Sequence, residues 1–168
     1  MVLEFIFRWA HVLFGIVWIG MLYYFNFVQT EYFKEAEADA KADAIKKLAP
    51  RALWWFRWGA ALTWVSGAYA LYKLNMLHAA FTLGLVGDGF NVQAMIIGVG
   101  AWFGTIMLFN VWVLIWPNQK KILGMVEASA DEIAKARKVA FAASRINTLL
   151  SIPMLMSMVG FGHGGFFL

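Results

Sequence analysis

His11 lies inside a long apolar stretch, residues 3–28, in which an ionisable side chain is unusual. About 20 apolar residues cross a bilayer core, and an ionisable group within such a span is by default a functional-site hypothesis. On a helix, spacings of three and four residues place Arg8, His11 and Gly15 on one face. One interpretation is a flat ligand lying beside the imidazole, in the gap that the glycine leaves. The alternative is that His11 bonds a neighbouring helix while Gly15 permits close helix packing.

The flat ligand that suits these residue types is a b-type haem. Such a haem needs one or two axial nitrogen or sulfur ligands, a slot between helices and cations for its propionates. His11 would be an axial ligand, Gly15 would give room, and Arg8 would pair with a propionate. The second ligand would be His163, His78 or a methionine near the end of the chain. Copper, held by imidazole and thioether groups, with His11 and His163 as metal ligands, is the competing cofactor.

The composition excludes an ordinary soluble protein. Hydrophobic residues make up 62% of the chain and charged residues only 14%, which indicates a polytopic membrane protein. The absence of cysteine rules out disulfides, thiolate metal sites, iron–sulfur clusters and covalently attached haem. Most charged residues lie in segments between apolar stretches, so the net charge of +4 indicates membrane orientation and not nucleic-acid binding.

Four apolar stretches, at about residues 3–28, 51–74, 93–116 and 146–161, predict an all-α protein. We expect a single membrane domain over residues 1–168, built as a four-helix bundle with a retained first span. Residues 30–49 and 120–145 predict two charged, water-exposed helices, while residues 75–91 predict a connection with a short surface helix. Pro50 and Pro117 are expected to break the helices that precede them.

The distribution of basic residues predicts the orientation. Six lysines and arginines lie between the first span and Arg57, six lie between Lys120 and Arg145, and the other two are Arg8 and Lys73. By the positive-inside rule, these two charged connections are cytoplasmic and both chain termini are periplasmic. We therefore expect a multi-pass protein of the bacterial inner membrane, in contact with lipid, whose three histidines lie towards the periplasm.

Several passages resemble the membrane domain of bacterial membrane-bound urate hydroxylase, the urate oxidase N-terminal domain family. They read RWAHVLFGIVWIGMLYYFNFVQ, LWWFRWGAALTWVSG and FNVWVLIWPNQKKILG, with a weaker match at INTLLSIPMLMSMVGFGH. In that family a helical membrane module is fused to a periplasmic cytochrome c that accepts electrons from urate oxidation. The present sequence ends at Leu168 without that domain, so the resemblance implies an external, periplasmic c-type cytochrome as partner.

Some family positions match and others differ. The positions that match are His11, Asn110, Pro117, Asn118, Gln119 and Pro153. A family histidine and paired asparagines are replaced by Ile146, Asn147 and Thr148, and an acidic residue is replaced by Gly59. More distantly, the opening passage resembles the four-helix membrane protoporphyrinogen oxidases, which resemble haem-binding proteins with a first-helix histidine. The resemblance therefore implies haem more strongly than urate chemistry.

Three hypotheses follow for the function. The leading one is a b-haem electron-transfer protein. The second is an accessory subunit of a larger respiratory or photosynthetic membrane complex, without chemistry of its own. The third is a urate hydroxylase that works with a separate cytochrome. The polar residues Asn110, Asn118 and Gln119 also have a structural interpretation, as interhelical hydrogen bonds and a helix cap.

Overall fold

The computed structural model describes residues 2–163, which are almost entirely helical. The α-helices are α1 (Val2–Tyr23), α2 (Thr30–Glu35), α3 (Ala38–Asp43), α4 (Ala49–Lys73), α5 (Leu77–Phe81), α6 (Val92–Phe109), α7 (Trp116–Ile122) and α8 (Ala130–Gly162). Three π-helical segments, Tyr24–Gln29, Ala44–Leu48 and Asn110–Ile115, continue directly into the next α-helix. The strands β1 (Leu85–Val86) and β2 (Gly89–Phe90) form a small antiparallel hairpin. The expectation of an all-α protein is therefore confirmed.

The long helices associate in two close pairs, α1 with α4 and α6 with α8. Glycine permits the first contact, because a β-carbon on Gly59 would lie 3.2 Å from the backbone nitrogen of Trp18. The two pairs share one apolar core, in which the largest fully buried hydrophobic side chains are Trp18, Phe56, Leu22, Met107 and Val111. We call the end of the molecule formed by α2, α3 and α7 the charged end, and the opposite end the α5 end.

Three continuous helical stretches of the described chain are long and apolar enough to cross a membrane: Val2–Glu35, Val92–Ile122 and Ala130–Gly162. They confirm a chain compatible with a multi-pass membrane protein. Helix α4 corresponds to the remaining predicted span and has 25 residues. It is not among the three stretches that are apolar enough by composition, and it contains two arginines, a lysine and several tryptophans and tyrosines.

The prediction that the two prolines break their helices is wrong. Pro50 and Pro117 each lie in the first turn of an α-helix that continues the preceding π-helical segment without a break. A proline in the first turn of a helix gives up a backbone N–H that would have no helical partner in any case. The wider π-helical turns before Pro50 and Pro117 let the chain keep its direction.

The two charged connections also differ from the single helices predicted for them. The first is interrupted between α2 and α3, where Ala36 is extended and Lys41 Nζ folds back to donate to the Phe33 carbonyl at 3.1 Å. In the second, α7 ends before Gly124, whose φ of +68° suits glycine. Helix α8 then begins with a capping box in which Ser129 and Glu132 bond each other's backbone N–H.

Candidate functional site

His11 lies in the contact between α1 and α4. Its Nδ1 is 2.8 Å from the backbone carbonyl oxygen of Thr63. A carbonyl oxygen only accepts hydrogen bonds, so Nδ1 carries the proton and donates. The neutral ring then has its lone pair on Nε2, the form in which a histidine binds a metal.

Two glycines show how closely the imidazole is packed. A β-carbon on Gly67 would lie 2.6 Å from His11 Cε1 and 2.7 Å from Nδ1, so the ring fills the space above that glycine. A β-carbon on Gly15 would make an ordinary contact with Thr63 Cγ2 at 3.8 Å. The structure therefore shows the interhelical hydrogen bond and close packing of the alternative interpretation. The cofactor interpretation stays a prediction.

The other predicted site residues are not gathered around His11. Arg8 pairs with Glu4, one turn away on the same helix, and its side chain is exposed. His78 is exposed on α5, and the exposed His163 donates from Nδ1 to the Val159 carbonyl at 2.9 Å. Within residues 2–163 no three His, Cys, Asp or Glu side chains lie together as a metal site.

The methionines of α8 face different sides. Met154 is buried, Met158 is half-buried and Met156 is exposed. This agrees with the expectation that a spacing of two residues cannot place them all on one face of a helix. They do not form a thioether cluster.

A groove lies on the apolar surface between α4 and α6. Its volume is about 370 Å³, and its lining residues are Ala61, Trp64, Val65, Thr105, Leu108, Phe109 and Trp112. The indole nitrogen of Trp64 donates to Thr105 Oγ1 at 2.9 Å across the groove. Because α4 and α6 make few other contacts, this bond is a main polar link between the two helix pairs.

A layer of buried amides and hydroxyls joins the helices near the core. Asn110 Nδ2 donates to Asn147 Oδ1 at 2.8 Å, and Asn147 Nδ2 donates to the Met107 carbonyl at 3.0 Å. Asn26 Nδ2 donates to Ser144 Oγ at 2.7 Å. The structural interpretation of Asn110 as an interhelical hydrogen-bonding residue is confirmed. Asn118 instead bonds Leu114 within its own helical stretch.

A second cavity, of about 340 Å³, lies at the charged end, and we call it the charged-end cavity. It is bounded by all three π-helical segments together with parts of α2–α4, α7 and α8. Its polar and charged lining residues are Asn26, Gln29, Thr30, Lys41, Gln119, Arg137 and Ser144. π-Helical turns are often found at functional sites. Neither this cavity nor the groove reaches His11.

These observations test whether the residues fit a haem. One imidazole nitrogen is available at His11, so a single axial ligand fits. Thr63 borders the space at Gly15, where a β-carbon would lie 3.8 Å from its Cγ2, so the structure does not show an enclosed slot for the macrocycle beside that glycine. No second histidine of the described chain shares a partner or a cavity with His11.

Comparison with models of known protein families shows to which family the chain belongs. The model of the family described as urate oxidase N-terminal matches residues 79–167, more than half of the sequence. The chain belongs to this family. The family match includes α6, α7 and α8, and with them the buried pair Asn110 and Asn147. His11 lies outside the matched residues. No curated protein and no solved structure gives a significant match.

The sequence analysis missed most of the charged-end cavity. Asn26, an amide inside an apolar stretch, was the available signal, because polar residues within a span usually face the protein interior. Lys41 and Arg137 gave no comparable signal. Each lies in a charged segment that looks like a solvated helix face, and only the folded chain brings them to one cavity.

Proposed function

We propose that this member of the urate oxidase N-terminal family is a redox subunit of the bacterial inner membrane that holds one b-type haem on His11. The observation that supports it is the hydrogen bond from His11 Nδ1 to the Thr63 carbonyl. Metal-ligating histidines generally donate their second ring N–H to a carbonyl or carboxylate, which fixes the ring and its tautomer. When bound, a b-type haem supplies a one-electron redox centre.

We propose further that α4 crosses the membrane with the other three long helices, giving a four-helix bundle. Its 25 residues extend about 37 Å at 1.5 Å per residue, enough for the ~30 Å hydrocarbon core. It packs along α1, so a membrane that contains α1 also surrounds α4. Arg57 stacks on the Trp116 ring at 3.7 Å, an arrangement suited to the headgroup region. The basic residues favour a cytoplasmic charged end.

Only His11 is proposed as an axial ligand from this chain. His78 and His163 are exposed at the α5 end, so neither would hold the haem together with His11. Copper held jointly by His11 and His163 is not supported by any shared contact. Arg8 already has Glu4 as partner, which makes it a weak candidate for a propionate.

The absorption spectrum of the purified protein tests the haem. We expect a Soret band in the wild type, its loss in His11→Ala, and an unchanged band in the control variant His163→Ala. A wild-type protein without a Soret band, or a band that survives His11→Ala, contradicts the proposal.

A periplasmic c-type cytochrome is the proposed electron partner. Membranes containing the chain should exchange electrons with added cytochrome c, and membranes with His11→Ala should not. Adding urate tests the hydroxylase alternative. Reduction of the cytochrome that depends on urate would assign urate as the electron source, whereas exchange without any response to urate would dismiss it.

The groove between α4 and α6 favours a second candidate, an accessory subunit of a larger membrane complex. The groove is lined almost entirely by apolar side chains and faces outward, a shape that suits the transmembrane helix of a partner. Native mass measurement of the protein released from its own membranes tests this. A chain found only as a free monomer contradicts the accessory role.

A further inference from the structure

The charged-end cavity combines cations with an apolar wall. Among its lining residues are two basic side chains, Lys41 and Arg137, and no aspartate or glutamate. Neither cation forms a salt bridge within residues 2–163. Lys41 is kept beside the cavity by its bond to the Phe33 carbonyl and by its position 5.6 Å above the Phe33 ring. The local charge therefore favours an anion.

Gln29 adds a requirement on that anion. Its side-chain oxygen Oε1 is buried and has no hydrogen-bond partner, and a buried acceptor without a partner costs about 1–3 kcal/mol. The Asn26 amide and the Thr30 hydroxyl, two donors of the same lining, are already engaged, since Asn26 Nδ2 donates to Leu22 and Ser144, and Thr30 Oγ1 donates to Phe25. A ligand with a hydroxyl or N–H group would supply the missing donor.

The remaining wall matches the glycerol and acyl part of a lipid. Its aromatic and aliphatic members are Phe25, Phe33, Ile45, Leu53, Phe56, Ile115, Ile122, Leu123 and Phe141. The cavity lies between helices at the charged end, where the proposed bilayer has its headgroups. Basic pockets between transmembrane helices on this side of a membrane are typical sites for anionic phospholipids.

We propose that the charged-end cavity binds the headgroup of an anionic phospholipid that carries a free hydroxyl, such as phosphatidylglycerol. Lys41 and Arg137 bind the phosphate oxygens. The headgroup hydroxyl donates to Gln29 Oε1. The apolar wall contacts the glycerol backbone and the first carbons of the acyl chains. The bound lipid would link α3, α4 and α8 at the charged end.

Thermal unfolding of the full chain in a neutral detergent, titrated with phosphatidylglycerol, tests the site. A ligand that binds only the folded state raises the unfolding temperature as its concentration rises. We expect such a rise for phosphatidylglycerol and none for phosphatidylcholine. In Arg137→Gln the apparent affinity should fall about fivefold, and in the double variant with Lys41→Gln about 25-fold. The matched control Lys138→Gln removes an equal charge outside the lining and should bind like the wild type.

The variant Gln29→Leu tests the contribution of the headgroup hydroxyl separately from that of the phosphate charge. The wild type should prefer phosphatidylglycerol over phosphatidylmethanol, which has the same charge and no hydroxyl, and Gln29→Leu should bind both equally. Equal affinities of Arg137→Gln and Lys138→Gln would overturn the proposal. So would an equal stabilisation of the wild type by inorganic phosphate, because the site would then serve a soluble anion. None of these results depends on a haem at His11.

Discussion

Asn110 and Asn147 bond to each other through their side-chain amides, Nδ2 of the first to Oδ1 of the second, at 2.8 Å. They join the π-helical segment Asn110–Ile115 to α8, and both are buried, with exposed fractions of 7% and 0%. Asn147 bonds the Met107 carbonyl as well. The pair therefore fixes the register between two long helices inside an apolar core.

Replacing Asn147 with leucine should lower the free energy of unfolding by about 1–3 kcal/mol, because the Asn110 amide loses its partner and the Met107 carbonyl loses one of its hydrogen bonds. Unfolding in a series of mixed detergents measures this loss of free energy of unfolding. Asn118→Leu is the control, since that amide bonds only its own helical stretch. A double-mutant cycle with Asn110→Leu should give a coupling of about 0.6 kcal/mol or more, typical of membrane helices. Additive effects would contradict a direct interaction.

Gly67→Ala should displace the His11 ring. The new methyl group would lie 2.6 Å from Cε1, and overpacking of this kind costs about 1–3 kcal/mol. The bond from Nδ1 to the Thr63 carbonyl should lengthen or break, which ¹⁵N NMR of a histidine-labelled sample would record. Gly20→Ala, where nothing lies within 4 Å, should leave the His11 signals unchanged. Unchanged signals in Gly67→Ala would show that the ring is not where the structure places it.

Two glycines of α6 offer a similar comparison for the second helix pair. Ser157 Oγ accepts from the Gly100 backbone N–H at 2.9 Å, and a β-carbon on Gly100 would lie 2.7 Å from that oxygen. Gly100→Ala should therefore separate α6 from α8 and lower stability by about 1–3 kcal/mol. Gly104→Ala has nothing within 4 Å and should be neutral or slightly stabilising, because alanine is the better helix former. A lower unfolding temperature for Gly104→Ala than for Gly100→Ala would refute this packing.

Acidification should weaken the start of α8. Hydrogen bonds from Ser129, followed by the charge of Lys121, lower the pKa of Glu132 below its ordinary value. A carboxylate with a lowered pKa in the folded state stabilises that state above its unfolded pKa of about 4.3, and this contribution is lost as the pH falls through the folded pKa. NMR titration of the carboxyl carbon should show this pKa rising in Ser129→Ala and rising less in Lys121→Gln. A Ser129→Ala titration identical to that of the wild type would exclude the capping box as the cause.

The sequence by itself determined the helical class, the apolar stretches and the unusual position of His11. It could do so because hydrophobic content, spacing and the rarity of an ionisable residue in a span are local properties of the chain. The beginning of α8 was missed, although Ser129 and Glu132 form a capping box over four consecutive residues, which is a local signal.

Tertiary structure alone decided what these residues contact. Pro50 and Pro117 do not break their helices, because π-helical turns before each proline accommodate it, and no local pattern indicates those turns. His11 contacts Thr63 and Gly67 because α1 packs against α4, although more than 50 positions of sequence separate these residues. Gln29 and Lys41 line one cavity with Arg137 only because their neighbouring helical segments pack against α8, which lies far along the sequence. Such contacts depend on packing between elements, which composition and periodicity do not encode in any single stretch.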